Sequence, residues 1–408
     1  MNAPAPALPL LAAPHRTLFF TGLSALLLAT AWWALHLVAR YTGAPLFALA
    51  LQPAPIWAHA FLMLFAVFPT IFFGFLFTVF PRWMNGPPVR QPEYLATALL
   101  LALGTVLWIA GTATGPRLLV AGGICTGLGL LAGLIALFRV LLGAAQVVAH
   151  AVVVLIALCV QLVALAGFVV GLAAGNDFLL HFAVRSSLWG GLLPVFFAVC
   201  HRMIPFFSQG VIAAYVPWRP RWVLIGVVTL AYLRLLLGLV GALAILPFVD
   251  AALFVLTALC ALRWTSRAAR GNPLLWSLYA GYAWLPLAVL LQTARDASFA
   301  LAGTWALGRA PVHALGMGFF GAMLVAMVTR VTMGHSGRPL RMDRVTLACF
   351  LALQAGALSR VLSEVVSAPA AVQGFLLLSL ALWLGAIGVW IGRVGGIYLA
   401  PRVDGRPG

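Results

Sequence analysis

The sequence predicts an all-α membrane protein with about twelve transmembrane helices. Hydrophobic residues make up 64% of the 408 positions and charged residues only 8%, against about 25% charged residues in soluble domains. Apolar runs long enough to cross the hydrocarbon core, roughly 20 residues each, recur from one end of the chain to the other. A soluble enzyme is excluded, because so few charges cannot cover its surface.

Charged, proline-rich and glycine-rich breaks divide the chain into twelve predicted spans, of which the eighth is the shortest. They cover residues 17–39, 57–80, 94–113, 118–138, 147–172, 179–200, 222–246, 248–264, 274–293, 311–333, 345–364 and 373–394. No stretch between them is long enough for a soluble domain. We therefore expect a single transmembrane domain over residues 1–408.

The arginines predict the orientation of these spans. The chain has 24 basic residues, all of them arginine, and a formal net charge of +17. With the N-terminus inside, seventeen arginines fall on the cytoplasmic side and three on the other, while four lie within helices or at their outer ends. This bias follows the positive-inside rule and predicts that both termini are cytoplasmic. The positive charge thus indicates the orientation of the protein in the lipid bilayer, and we expect no nucleic-acid partner.

The five cysteines lie inside or at the ends of apolar runs, and no CxxC or CxxCH motif occurs. This pattern argues against structural disulfides and against covalently attached haem. The thiols are expected to pack as small buried side chains.

Three histidines recur at the same place in the predicted topology. His59, His181 and His313 begin the second, sixth and tenth spans, 122 and 132 residues apart. All three spans run from the outside to the inside, so the three imidazoles are expected at similar depth near the outer face. The recurrence every four helices predicts three repeats, over residues 14–139, 140–270 and 271–394.

Several motifs of the chain resemble those of the NnrS family of bacterial membrane proteins. They are Pro14-His15-Arg16, Trp57-Ala-His59, His201-Arg202-Met-Ile-Pro205 and Gly334-His-Ser-Gly-Arg-Pro-Leu340. The resemblance runs from about residue 14 to residue 394, although the family more commonly has glycine or another residue where this chain has His201. It implies a haem- and copper-containing inner-membrane protein of the nitric oxide response, often encoded with denitrification functions.

The twelve helices in groups of four also resemble, in architecture only, the catalytic subunit of haem-copper oxidases and nitric oxide reductases. In that subunit the second and tenth helices supply the two axial ligands of a low-spin haem. Carried over by position, the resemblance implies that His59 and His313 bind haem b. Gly316, one turn after His313, would leave room for the edge of the macrocycle. The alternative is that each histidine is an interfacial residue hydrogen-bonded to a neighbour.

Arginines near the outer ends of the spans are candidates for binding haem propionates. His181 and Arg185 share one helix face, and we expect Arg185 to be buried one turn inside the interface, where its charge needs an anion. That anion is either Asp177 or a propionate. Three further arginines at the same outer level could share this role: Arg295, Arg309 and Arg360. Arg360 has an alternative partner within its own helix, Glu364.

Arg234 is predicted near the middle of the seventh span, where a charge should face the bundle interior, and no role is defined for it.

A second group lies at the inner ends of the spans and comprises Arg82, His201, Arg202, Arg330, His335 and Arg338. One interpretation of this group is a second site, for a metal or an anion. The alternative is that the arginines only extend to the membrane interface beside a loop turn.

Copper is implied by the family resemblance, and its candidate ligands are His181, His201 and His335. The seventh span lacks the pair of adjacent histidines that the oxidases use for copper, which makes an oxidase-like binuclear centre doubtful. By helix rise His181 and His201 lie about 30 Å apart, so they cannot bind one copper ion together.

Three functions follow as alternatives. The first is redox handling of nitric oxide or iron-nitrosyl species at haem, with a quinol or another electron donor. The second is secondary transport of a small metabolite or metal, against which the scarcity of acidic residues inside the spans counts. The third is a haem-based membrane sensor.

Overall fold

A computed structural model describes residues 8–43 and 53–405. Within these ranges the chain is helical and contains no β-strand, and twelve helices are long and apolar enough to cross a membrane. We label them α1 to α12 in chain order: Pro14–Thr42, Pro55–Met84, Gln91–Thr114, Pro116–Leu142, Ala149–Ala174, Asp177–Gln209, Arg221–Leu239, Leu246–Trp264, Pro273–Ala302, Ala310–His335, Arg344–Leu362 and Pro369–Leu399. The predicted class, an all-α polytopic membrane protein, is confirmed.

Proline and glycine mark many of the helix ends. Pro14, Pro116 and Pro273 each occupy the first turn of a helix, where the amide that proline lacks has no intrahelical partner. Gly175 and Gly303 follow α5 and α9 with φ of 63° and 67°, a left-handed conformation that glycine adopts without strain. Because proline and glycine are favoured at these positions, the ends of the helices can be recognised in the sequence.

Some predicted boundaries are wrong by several residues. Pro81 and Pro205 were expected in connections, but each lies inside the last turns of a helix, in α2 and α6 respectively. Proline is tolerated in membrane helices, where neighbouring groups satisfy the freed carbonyl. Conversely, α7 ends at Leu239 rather than at residue 246, and a turn with Gly241 at φ 77° follows it.

The chain packs as two compact units. The first unit comprises the described residues up to 195 together with 391–405, and the second comprises residues 196–390. Both boundaries fall within helices, in α6 and α12. This division does not coincide with the three repeats expected at 14–139, 140–270 and 271–394, which stay a prediction.

Aromatic side chains fill the core of the first unit. Phe61 stacks on Trp108 with ring centroids 3.4 Å apart, and Phe168 packs against both rings. Segments from both ends of the described chain also meet here, because Arg16 donates a hydrogen bond of 2.7 Å to the carbonyl of Ala400. The start of α1 and the end of α12 therefore lie on the same side of the unit.

The second unit has an equally tight aromatic core. Phe196 stacks on Phe320 with centroids 4.4 Å apart, and Trp264 packs on Tyr282. A Cβ atom on Gly318 would overlap the indole of Trp284. Glycine at this position lets α9 and α10 approach closely, as small residues do between membrane helices.

Three helices share a feature that the other nine spans lack. In α2, α6 and α10, 89%, 78% and 78% of the most apolar stretch of the helix is buried inside the protein. In the other spans this share is at most 61%. Each of the three also contains a π-helical stretch, at Leu62–Val67, Ser186–Leu192 and Ala314–Gly321. These stretches begin three, five and one residues after His59, His181 and His313. Such wide turns often occur at functional sites.

Candidate functional site

His313 stands at the start of α10 in a defined orientation. Its Nδ1 lies 3.0 Å from the carbonyl oxygen of Arg309, one turn earlier in the chain. Because a carbonyl only accepts hydrogen bonds, this contact places the proton of the neutral ring on Nδ1. The lone pair then lies on Nε2, which is the arrangement found in metal-binding histidines.

Close to His313, the helix α10 has open space at Gly316. A Cβ atom on Gly316 would have no neighbour within 4 Å, whereas one on Gly321 would overlap the indole of Trp383. Gly316 follows His313 by three residues, within the π-helical stretch that begins at Ala314. A flat group bound at Nε2 of His313 would meet no side chain from Gly316.

His59 and His181 lie at the corresponding ends of α2 and α6. The imidazole of the half-buried His59 stacks on the indole of Trp33, with centroids 4.4 Å apart and 26° between planes. His181 is exposed, and its ring meets the indole of Trp57 edge-on at 5.0 Å. The first unit thus brings His181 against the segment that carries His59.

His59 belongs to the first unit and His313 to the second. Their pairing across one haem stays a prediction drawn from the resemblance. The shared features of α2, α6 and α10 support the expectation that the three histidines are equivalent in the three repeats.

The outer arginines have different surroundings from those expected. Arg185 is exposed rather than buried, as is His181 one turn earlier on the same helix face. Arg360 forms an ion pair of 2.7 Å with Glu364, which is the internal alternative. Glu364 also accepts a hydrogen bond of 3.1 Å from the backbone amide of Arg309.

Arg295 lies at the same end of the second unit. Its Nε donates to the carbonyl of Gly308 at 3.0 Å, and its guanidinium lies 4.2 Å from the ring centroid of Trp305. The side chain of Arg309 is exposed beside this group. Cationic groups therefore surround the start of α10, at the end where His313 lies.

The histidines at the other ends of the helices are placed separately. His201 is buried, and its Nε2 donates to the carbonyl of Pro220 at 3.2 Å. His335 ends α10 and is half-buried. In the described part of the chain, no three His, Cys, Asp or Glu side chains are grouped so that they could hold a metal ion.

A buried charge cluster joins α7, α8 and α9. Arg234 forms an ion pair of 2.7 Å with Asp250 and donates a hydrogen bond of 2.7 Å to Asp296. Gln292 donates to the other oxygen of Asp296 at 2.8 Å, and Arg295 lies 3.7 Å from it. The cluster balances two carboxylates against two arginines.

The sequence reasoning placed Arg234 at mid-span and did not name its partners. The guanidinium lies instead near the end of α7, because that helix stops at Leu239. The missed signal was the position of the acidic residues: the chain has only seven, and Asp250 falls inside a predicted span while Asp296 follows the ninth predicted span by three residues. An acidic residue in such a span requires a buried partner.

The π-helical turn of α2 receives a side-chain donor from α5. Gln161 is 1% exposed, and its Nε2 donates to the carbonyl of Leu64 at 2.7 Å. A wide turn shifts the backbone pairing, and a buried carbonyl needs a donor. The other end of the amide packs on Gly191 in the π-helical stretch of α6, where a Cβ atom would overlap Oε1 of Gln161.

Replacing Gln161 with leucine is expected to lower the free energy of unfolding by about 1–3 kcal/mol, since a buried carbonyl loses its donor. Denaturation of the purified protein in detergent, followed by tryptophan fluorescence, measures the change. Gln373→Leu makes the same chemical change at a half-buried position of α12 and should have a smaller effect. Equal losses in both variants would contradict the role of the Leu64 contact.

Two comparisons with known proteins bear on this arrangement. A family model described as "NnrS protein" matches residues 9–402, which is nearly the whole chain. No curated protein shows significant similarity to the sequence.

Proposed function

Because the chain belongs to the NnrS family, we propose that it is a haem-binding protein of the bacterial inner membrane that acts in the nitric oxide response. Family membership supports the role in that response. The finer proposal is that haem b, held by His313 and a second histidine, handles nitric oxide or an iron-nitrosyl species. His59 is the expected second ligand, and both termini are expected in the cytoplasm.

The single observation that carries the haem proposal is the orientation of His313. Its Nδ1 proton is held by the carbonyl of Arg309 at 3.0 Å, so Nε2 presents the lone pair that an axial ligand of iron needs. The open space beside Gly316, three residues later, supports the proposal because no side chain would obstruct a flat group there. When bound, haem would supply the iron that binds nitric oxide and exchanges electrons.

The residues around His313 have their own tasks in this proposal. The Arg309 carbonyl fixes the tautomer and the rotation of the imidazole. The exposed guanidinium of Arg309 is suited to bind a propionate, and Arg185 is proposed for the same role in the first unit. Arg295 and Arg360 already contact Asp296 and Glu364, so each would have to exchange that carboxylate for a propionate.

Copper is proposed only from family membership. His181, His201 and His335 remain the proposed ligands, and Nε2 of His201 already contacts the carbonyl of Pro220. Metal analysis of the purified protein, grown with added copper, tests this part separately from the haem.

The proposal is tested first on the unmodified protein, expressed with ample haem and copper. The expected result is a Soret band, a reduced α-band and about one or more haem b per chain by pyridine haemochrome assay. Anaerobic consumption of nitric oxide with a quinol donor would then identify an enzyme, whereas binding without turnover would identify a sensor. A colourless protein that is free of metal would contradict the haem proposal.

A second function is favoured by the charge cluster of α7, α8 and α9. Asp250 and Asp296 are 0% and 2% exposed, and buried acidic groups inside membrane helices often belong to ion pathways. Secondary transport of a small metabolite or metal is therefore the alternative. It becomes the leading function if the protein lacks haem and proteoliposomes accumulate a solute in response to a proton gradient.

A further inference from the structure

Arg330 is a buried cation of the second unit for which the described chain provides no anion. Arg330 lies in α10, five residues before the helix ends at His335, and is only 8% exposed. Its guanidinium packs on the ring of Phe207, with Cζ 4.1 Å from the centroid. No residue in 8–43 or 53–405 forms a hydrogen bond or ion pair with it.

The carboxylates of the second unit are all engaged elsewhere. Asp250 and Asp296 pair with Arg234, Asp343 caps the first turn of α11, and Glu364 pairs with Arg360. A buried charge without a counter-charge is unfavourable in a membrane protein, and a cation–π contact recovers only part of the lost hydration. The described residues therefore leave the charge of Arg330 without a counter-ion.

A second arginine lies at the same end of α10. Gly337, with φ of 74°, reverses the chain after the helix, and Leu340 folds back to within 3.5 Å of a Cβ atom on Gly334. Gly334 is one turn beyond Arg330 and on the same face. Arg338, in the returning segment, has a buried Nη1 atom without a hydrogen-bond partner among the described residues.

We propose that Arg330 and Arg338 form a binding site for a phosphate-type oxyanion. Guanidinium groups bind oxyanions through paired N–H donors, and two such groups with no competing carboxylate favour an anion over a metal. Arg330 is about 7.5 Å from the end of its helix by helix rise, a depth that a phosphate at the membrane interface reaches. The source is either the headgroup of an anionic lipid or a free oxyanion. This proposal does not depend on haem.

The test uses the full-length protein and two kinds of added anion. In nanodiscs of phosphatidylcholine, adding phosphatidylglycerol is expected to raise the Tm of the wild type by about 5 °C. In detergent after delipidation, millimolar inorganic phosphate or nitrate would produce the shift if the ligand is a free oxyanion. A shift with the lipid alone identifies a lipid site, and a shift with the inorganic anions identifies a free-anion site.

Arginine variants connect the shift to the site. Arg330→Gln and Arg338→Gln should each lose most of the shift, and Arg330→Lys should retain part of it. Arg344→Gln removes the same charge at an exposed position of α11 and should respond as the wild type does. Absence of any shift in the wild type, or equal shifts in Arg330→Gln and Arg344→Gln, would overturn the proposal.

A second readout covers the case in which Arg330→Gln does not fold. Native mass spectrometry of the wild type and of Arg338→Gln counts retained phosphatidylglycerol molecules or bound phosphate directly. The wild type should retain at least one more anion than the variant. The same count in both proteins would refute the site.

Discussion

Replacing Arg234 with methionine is expected to lower the free energy of unfolding by about 3–5 kcal/mol, the cost of leaving buried charges without their partner. The change leaves Asp250 and Asp296 facing the space vacated by the guanidinium, with only Gln292 and the more distant Arg295 nearby. Denaturation in detergent micelles, followed by tryptophan fluorescence, measures the loss. The variant should also accumulate to a lower level in the membrane.

The matched control is an ion pair near the surface. Arg139 binds Glu93 in a bidentate pair, with Nη2 2.7 Å from Oε2, but the two side chains are 26% and 22% exposed. Arg139→Met should therefore cost about 1 kcal/mol or less. A loss as large as that of Arg234→Met would mean that burial is not the reason for the large effect.

A double variant checks the charge argument. Asp250→Asn removes one of the two carboxylates, so Arg234→Met combined with Asp250→Asn is expected to be more stable than Arg234→Met alone. This sign is opposite to that of two independent losses, which would add. Additive destabilisation would show that the cluster acts through packing rather than through charge.

On the proposed haem ligation, replacing His313 with alanine is expected to remove the low-spin haem spectrum. An axial ligand is lost, and haem content should fall at least about tenfold, since loss of outer-shell partners alone costs that much in metal sites. The measurements are the Soret and α-bands, the pyridine haemochrome content and the electron paramagnetic resonance signal of the ferric state.

Other histidine variants give the matched comparisons for His313. His150→Ala makes the same change at the start of α5, where the ring meets Trp83 edge-on, and should leave the spectrum unchanged. Addition of imidazole to His313→Ala should restore the low-spin bands, which a merely misfolded variant would not do. His59→Ala should resemble His313→Ala. If His181→Ala loses the spectrum while His59→Ala keeps it, the second ligand is misassigned.

The number and type of the helices were predictable from the sequence because the bilayer imposes one length and one composition on every span. All twelve predicted spans are present. The errors at Pro81, Pro205 and Leu239 have one cause. Proline and glycine mark a break in the sequence, but whether the helix continues through it depends on neighbouring helices that the sequence does not identify.

The site was only partly predictable from the sequence. The recurrence of His59, His181 and His313 was visible because their spacing is a property of the sequence. The partners of Arg234 were not, because Asp250 and Asp296 lie on different helices and only packing brings them together. The π-helical stretches of α2, α6 and α10 also left no sequence signal that the hydropathy of the spans revealed.

The contact between Arg16 and the Ala400 carbonyl has a consequence for biosynthesis. The two residues are separated by 384 positions, and the first unit includes residues after 391 as well as those before 195. All twelve helices have therefore been synthesised before Ala400, which follows α12, is available to Arg16. The first unit is completed only after α12 has been translated, so premature termination within α12 should leave a product that quality-control proteases degrade.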